Sequence, residues 1–558
     1  MRQFIADEPV RRYNLCTHGI NVFPRDFLNP HLKPTNPGAF FVSYALVVLA
    51  ITAPWLNPFA SGPSPSVVPW LITLTASGFL LLIESLRSFH GGVANNAAFS
   101  LRWKFPVTSA WLLAGVLSSG IALLQYFGAT SFFEPWVNHT RLGEAYANLR
   151  QRNQFATLTN MAFASLIWCS LSKRFAPQAP GRAQWVAILL AGLLAVGNAA
   201  SQSRTGMAQL GLFCALCVLW GLWRHAIVRY ILMAAVITYA VAAFLLPVLA
   251  GFDLSTFGMA ARLRAGDPPC VSRITLWSNV LHLIAQKPWF GWGWGELDYA
   301  HYITLYDGPR FCEILDNAHN LPLHLAVELG IPVALLVCGG FTWWAMRQRP
   351  WREADLTRQM AWSVLAAILL HSMLEYPLWY GPFQMAFWIC IGLLWQPAPA
   401  SDEALHGGKN PLNSPVARIL KASLAIILIA VTAFAAWDYN RVSQIYLAPE
   451  ARDAAYRSAT LEKINESWFF DNQLRFAQLL VTPLTSENAE WTFSMASDLL
   501  HYSPEPRVAE KIIESAVLLK RDAAALEQMV RYRAAFPREY ANWTIANAKL
   551  ASALGTLK

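Results

Sequence analysis

The chain carries about eleven apolar stretches, each of roughly the 17 to 25 residues that a helix needs to cross a bilayer. They lie near 39–56, 66–83, 106–127, 155–172, 183–200, 206–223, 227–250, 319–346, 359–375, 380–396 and 417–436. Inside a bilayer a backbone has no water to bond, so each stretch must satisfy its own peptide groups and is expected to be a helix. Composition agrees, since 55% of the 558 residues are hydrophobic and only 14% are charged, too apolar for one soluble domain. The first stretch begins after a long polar arm containing prolines, which is wrong for a cleaved secretory signal, and is read as an uncleaved span. The expectation is an all-α polytopic membrane protein with about 11–12 transmembrane helices.

Basic residues recur in alternate short loops: Arg87, Arg102 and Lys104, then Lys173, Arg174 and Arg182, then Arg224 and Arg229, then Arg347, Arg349, Arg352 and Arg358. Loops of this kind face the cytoplasm, which accounts for the net charge of +9 without a nucleic-acid partner. The 24 Trp and 31 Phe suit headgroup-level anchoring in membrane lipids. The reading is therefore a cytoplasmic N-terminal arm over 1–38, a transmembrane domain over 39–436 with a large outer loop at 251–318, and an outer domain over 437–558. That tail has ordinary charge density and helical periodicity, with Val508, Ile512, Ile513, Ala516 and Leu519 along one face. Ser503-Pro504-Glu505 is read as the start of that helix and Pro537 as the end of the next. Stacked, tetratricopeptide-like hairpins fit, although no period is clear enough to assign the repeat.

Outer segments should be poor in positive charge, yet they hold Arg141, Arg150, Arg152, Arg204, Arg262, Arg264 and Arg273. Arg204 stands out in SQSRTG, a very short turn between two apolar spans, where a guanidinium needs either headgroups to snorkel to or an anion to bind. A guanidinium fork matches phosphate oxygens bidentately. Arg273 opens RITLWSNVLHLIAQKPWFGWGWG, a helical face followed by a Pro/Gly/Trp segment that suits an interfacial or re-entrant piece. His319, in DNAHNLPLHLAVELG, stands where the outer loop meets a span. It reads either as a capping residue or, beside arginines, as a general base for a hydroxyl nucleophile. His371 and Glu375 are four apart, which predicts a polar pair on one helical face that stabilises the bundle.

Of the eight cysteines, Cys169, Cys214, Cys217, Cys338 and Cys390 sit inside apolar runs as small core residues. Cys270 and Cys312 share the outer loop and are predicted to form a disulfide, the alternative being two free thiols. No ligand cluster of metal spacing is evident, so neither a metal nor another cofactor is expected.

These motifs, together with QRNQFATLTN before the fourth span and HSMLEYPLWYGPF near the end, make the chain resemble the O-antigen ligase and polymerase superfamily over nearly its whole length. Within it, the QRNQFAT and LEYPLWY runs and the helical tail are most similar to the bacterial protein O-oligosaccharyltransferases, the pilin glycosylation ligases. The resemblance implies an inverting, metal-independent glycosyltransferase in the bacterial inner membrane with its active site facing the periplasm. The donor would be an undecaprenyl-diphosphate-linked oligosaccharide, and the acceptor a Ser or Thr hydroxyl of a protein such as pilin. It implies His319 as the catalytic residue and Arg204 and Arg273 as the diphosphate binders, with Asn153, Gln154, Glu375, Tyr376 and Tyr380 matching motifs without an assigned role. Two rivals are kept: an O-antigen ligase or polymerase acting on a glycan or lipid A core, and a lipid-linked sugar transporter, which would need broken or charged midplane helices and inverted repeats.

Overall fold

A computed structural model describes residues 37–60, 62–89, 99–172, 180–266, 268–395 and 415–548. The expected N-terminal arm (but for its last two residues), Lys173 and Arg174 lie outside the described residues, as do the side chains of Arg87 and Arg102. Among the described residues there is no strand. Helices α1 (Pro37–Leu56), α2 (Val67–Phe89), α3 (Phe99–Tyr126), α4 (Arg152–Leu171), α5 (Pro180–Ala200), α6 (Arg204–Leu219) and α7 (Ala226–Leu249) precede the large loop, which holds α8 (Met259–Ala265), α9 (Arg273–Gln286) and α10 (Leu297–Ile303). The bundle resumes with α11 (Leu321–Leu329), α12 (Ile331–Ala334), α13 (Gly340–Gln348), α14 (Leu356–Ser372), α15 (Gly381–Trp395) and α16 (Pro415–Ser443). The tail comprises α17 (Thr460–Lys463), α18 (Asp471–Val481), α19 (Ala489–Leu499), α20 (Pro506–Leu518), α21 (Asp522–Ala535) and α22 (Pro537–Ala546).

Each apolar stretch falls on helix, but 319–346 is broken. Gly330 (φ +88°) ends α11 where the backbone of Trp289 crosses so closely that no Cβ fits. The crossing is held by Trp292 N–H to Val327 O (2.9 Å) and Ile331 N–H to Pro288 O (2.9 Å). This places the Pro/Gly/Trp segment against the broken span. Among the described residues, five helices are long and apolar enough to cross a membrane: α2, α3, α5, α7 and α16. By contrast α4, with Gln154, Thr157, Thr159 and Asn160, is buried almost throughout by α3, α5, α6 and α14. A helix enclosed by other helices can keep polar side chains because they bond to neighbours instead of meeting lipid. Thr157 Oγ1 meets His371 Nδ1 at 2.9 Å, and Gln209 Nε2 donates to Thr157 Oγ1 (2.9 Å) and Ala367 O (2.8 Å). Small residues let these helices approach: a Cβ on Gly115 of α3 would run into Ala162 of α4.

The tail docks on the large loop. Buried Val508, Ile512, Ile513 and Ala516 share a core with Tyr532, Trp543 and the loop residue Tyr302. Tyr302 Oη donates to Gln528 (3.2 Å), and His501 bonds Glu296 at 2.7 Å. The boundaries differ in detail from the expectation. Glu505 is the cap position of α20 and Pro506 its first residue, while Ser503 Oγ donates to Glu505 (3.0 Å). Pro cannot supply the N–H of a helix interior, so Pro506 and Pro537 both open helices.

Candidate active site

Arg273 is the first residue of α9, whose cap residue Ser272 accepts the Thr275 N–H at 3.2 Å. The helix is tied to the segment before α11 by Trp277 Nε1 donating to Ala318 O (3.0 Å) and by Asn279, which donates to Pro309 O (3.0 Å) and accepts from Phe311 N–H (2.8 Å). Cys270 and Cys312 are joined by a disulfide with their Cα atoms 5.4 Å apart. The chain then turns through His319 in the left-handed region, φ +50°, a conformation that costs a non-glycine residue on the order of 1 kcal/mol and is typical of functional turns. Asn320 caps α11 and reaches Met373 O with its amide (3.1 Å), fastening this turn to the connection after α14.

Glu375 occupies that connection. Because α14 stops at Ser372, His371 and Glu375 do not share a helical face, contrary to the expectation from their spacing. His371 turns into the bundle toward Thr157, and Glu375 turns toward the loop. The Glu375 carboxylate is nearly buried and accepts from four side chains. Oε2 takes His319 Nδ1 at 2.7 Å and Gln151 Nε2 at 3.4 Å; Oε1 takes Arg273 Nη2 and Asn153 Nδ2, the latter at 3.3 Å. Burial raises this carboxyl, but the His319 hydrogen bond and the charges of His319, Arg273 and His371 outweigh it, so the group lies below the usual glutamate range. Ionised Glu375 is acceptor-only, so His319 Nδ1 must donate, and in the neutral ring this leaves the lone pair on Nε2.

The remaining candidates surround this cluster. Tyr376 sets its ring edge-on to His319 (4.9 Å), and Tyr380 stacks on Tyr376 (5.9 Å). Gln154 is buried just below, its N–H bonded to Gln151 Oε1 (3.2 Å). Ser203 caps α6 and donates to Asn153 Oδ1 at 2.6 Å. The next residue, Arg204, opens α6, and its side chain is exposed. Two contributors, Gln151 and Ser203, escape a reading for charged or titratable residues, although both stand inside the QRNQ and SQSRTG motifs. The other outer arginines have several explanations. Arg150 donates to Pro58 O (2.6 Å), Arg262 to Gln202 O (2.7 Å), and Arg152 lies 3.8 Å from Glu144. An anionic ligand is therefore not required to account for Arg150, Arg152 or Arg262.

Three family models match separate segments: protein glycosylation ligase over 145–168, O-antigen ligase over 185–338, and virulence factor membrane-bound polymerase, C-terminal, over 359–551. The first contains Gln151 and Asn153, the second Arg204, Arg273 and His319, and the third Glu375, Tyr376 and Tyr380, so side chains from all three matches meet at one carboxylate. The chain is 25% identical over 403 residues to a general O-oligosaccharyltransferase of Acinetobacter baylyi, covering 68% of this chain and 65% of that protein. It is 26% identical over 247 residues to a ComP-specific O-oligosaccharyltransferase of the same organism, covering 43% of this chain and 42% of the relative. The matches thus span less than two thirds of the length of either relative.

Proposed function

We propose, for a chain that belongs to the O-antigen ligase superfamily, that it is a protein O-oligosaccharyltransferase transferring a glycan from a lipid-diphosphate carrier to a hydroxyl of an acceptor protein. The observation that carries this reading is the Glu375 carboxylate bridging His319 and Arg273. It couples a base with a free Nε2 to a cation able to meet a diphosphate.

The acceptor Ser or Thr hydroxyl would lie against His319 Nε2. As its oxygen attacks the anomeric carbon, the bond from that carbon to the diphosphate oxygen breaks, with inversion; the hydroxyl proton passes to His319 and the electron pair leaves on the diphosphate. Glu375 stabilises the imidazolium that results, as a carboxylate does beside any catalytic histidine. Arg273, joined by Arg204, offsets the charge growing on the leaving phosphate. An undecaprenyl chain would occupy the lipid beside the bundle, and the side bearing loop and tail would face the periplasm across the inner membrane. Pilin-like proteins are the proposed acceptors.

Co-expression with a lipid-linked oligosaccharide pathway and a pilin acceptor tests this. A glycan-sized mass increase on a Ser or Thr is expected for the natural chain and none for His319→Ala, which should still bind donor, whereas Arg273→Ala should weaken donor binding as well. The match of 359–551 to a membrane-bound polymerase favours one second reading, an O-antigen ligase or polymerase. It predicts an unmodified pilin with altered lipopolysaccharide banding.

A further inference from the structure

At the end of α16 nearest the tail, four aromatic rings form a patch whose surroundings identify what covers it. No charged side chain occurs between Lys421 and Asp438. From Lys421 to Asp438 the helix rises about 25 Å at about 1.5 Å per residue, and with Lys421 snorkelling toward its headgroups it crosses the roughly 30 Å of hydrocarbon in a bilayer. Trp437 therefore stands at the level where the acyl chains meet the headgroups, and Phe434 one turn deeper. Both are exposed, Trp437 by 54% and Phe434 by 41%. Among the membrane helices α16 packs chiefly on α2, and the rest of its circumference is apolar and open.

Two tail residues join these rings. Trp468 lies edge-on to Phe434 at 6.3 Å and Phe469 at 6.0 Å, although Trp468 is 85% exposed. They are held there by design of the backbone: buried Asp438, next to Trp437, accepts the N–H groups of Trp468 (3.0 Å) and Phe469 (3.2 Å) and the hydroxyl of Ser467 (2.7 Å). Arg441 closes the turn by bonding Asp438 (2.9 Å) while its guanidinium lies over Trp437. Water would oppose so large an exposed aromatic surface fixed in a rigid turn. Lipid welcomes it, because indole prefers the headgroup boundary.

We propose that the Ser467–Phe470 turn is a membrane seat: Trp468 and Phe469 insert beside Phe434 into the leaflet on the loop side. The partner is a phospholipid surface. The seat and α16 fix the depth of the tail's near end, while the Tyr302 and Glu296 contacts fix its far end on the loop that carries Arg273. The tail is thereby held against the loop that carries Arg273 at a set height. This inference rests on the membrane embedding of α16, not on the identity of the acceptor.

The test replaces Trp468 by p-benzoylphenylalanine in the full chain in native membranes, with irradiation and mass spectrometry of the adducts. The same photoprobe at Ile545, 77% exposed on α22, serves as a comparison that shares exposure but lies away from α16. Position 468 should give roughly tenfold more phospholipid adduct than 545, as expected for a ring at the acyl boundary. Cross-linking of 468 to polypeptide, whether a second copy or another protein, would overturn the proposal, as would equal lipid yields at the two positions. The probe keeps an aromatic ring at an exposed site, and an unaltered unfolding temperature confirms that both variants are folded.

Discussion

His319 Nδ1 lies 2.7 Å from Glu375 Oε2, and the partners stand 56 residues apart in a turn before α11 and a connection after α14. The same carboxylate also binds Arg273, so one buried group sets the tautomer of the histidine and the position of the arginine. Glu375→Gln keeps the shape but loses the negative charge that stabilises protonated His319. Initial rates of acceptor glycosylation in membranes should fall about a hundredfold or more, the scale of a lost acid-base contribution, while donor binding, measured separately, is largely kept. An unchanged rate would remove Glu375 from the mechanism.

Replacing Cys270 and Cys312 by Ser opens a loop of 42 residues. Chain entropy alone assigns such a closure about 4 kcal/mol at most. The bundle helices do not depend on it, but the seat of α9 does. Transfer activity should therefore drop more than the unfolding temperature of the bundle, and intact-mass analysis after non-reducing alkylation should show two fewer modified thiols in the natural chain than after reduction. Full activity in the double variant would show that the other α9 contacts suffice.

Two glycines on α3 make opposite predictions. At Gly115 an added methyl meets Ala162, with Leu194 Cδ2 only 3.2 Å away, whereas at Gly120 nothing lies within 4 Å. Gly115→Ala should destabilise by about 1–3 kcal/mol through overpacking. Gly120→Ala should be neutral or stabilise by up to about 1 kcal/mol through helix propensity. Thermal unfolding of both in the same detergent decides it, and equal shifts would mean that α3 and α4 are not in close contact.

Helix positions were legible because hydropathy reports what a segment's surroundings must be, and each stretch from 39–56 to 417–436 coincides with helix. The break at Gly330 was not, since it depends on the Trp289 backbone crossing from a distant part of the chain. Periodicity also misplaced Glu375: spacing alone puts it on the face of His371, but α14 stops three residues earlier and sends the two groups to different partners. The candidate site residues His319 and Arg273 announce themselves by chemistry in an apolar chain. Gln151 and Ser203 are neutral and serve by position, which only the folded arrangement reveals.

The loop that carries Arg273 should loosen in acid through His301. This buried ring takes the Tyr306 hydroxyl on Nδ1 (2.8 Å) and gives its Nε2 proton to Phe311 O (3.0 Å), an arrangement open only to the neutral form. Burial first, and the Arg310 charge second, depress its pKa from 6.5 to about 3. The unfolded loop therefore binds a proton before the folded one, so stability is constant above the unfolded value and falls as the pH drops from about 6.5 toward about 3. His301→Phe removes the titration at the cost of leaving the Tyr306 and Phe311 groups unpaired. Its unfolding temperature should be lower at neutral pH yet fall less steeply between about pH 7 and pH 4. Parallel curves for the two proteins would mean that His301 is not what couples the loop to pH.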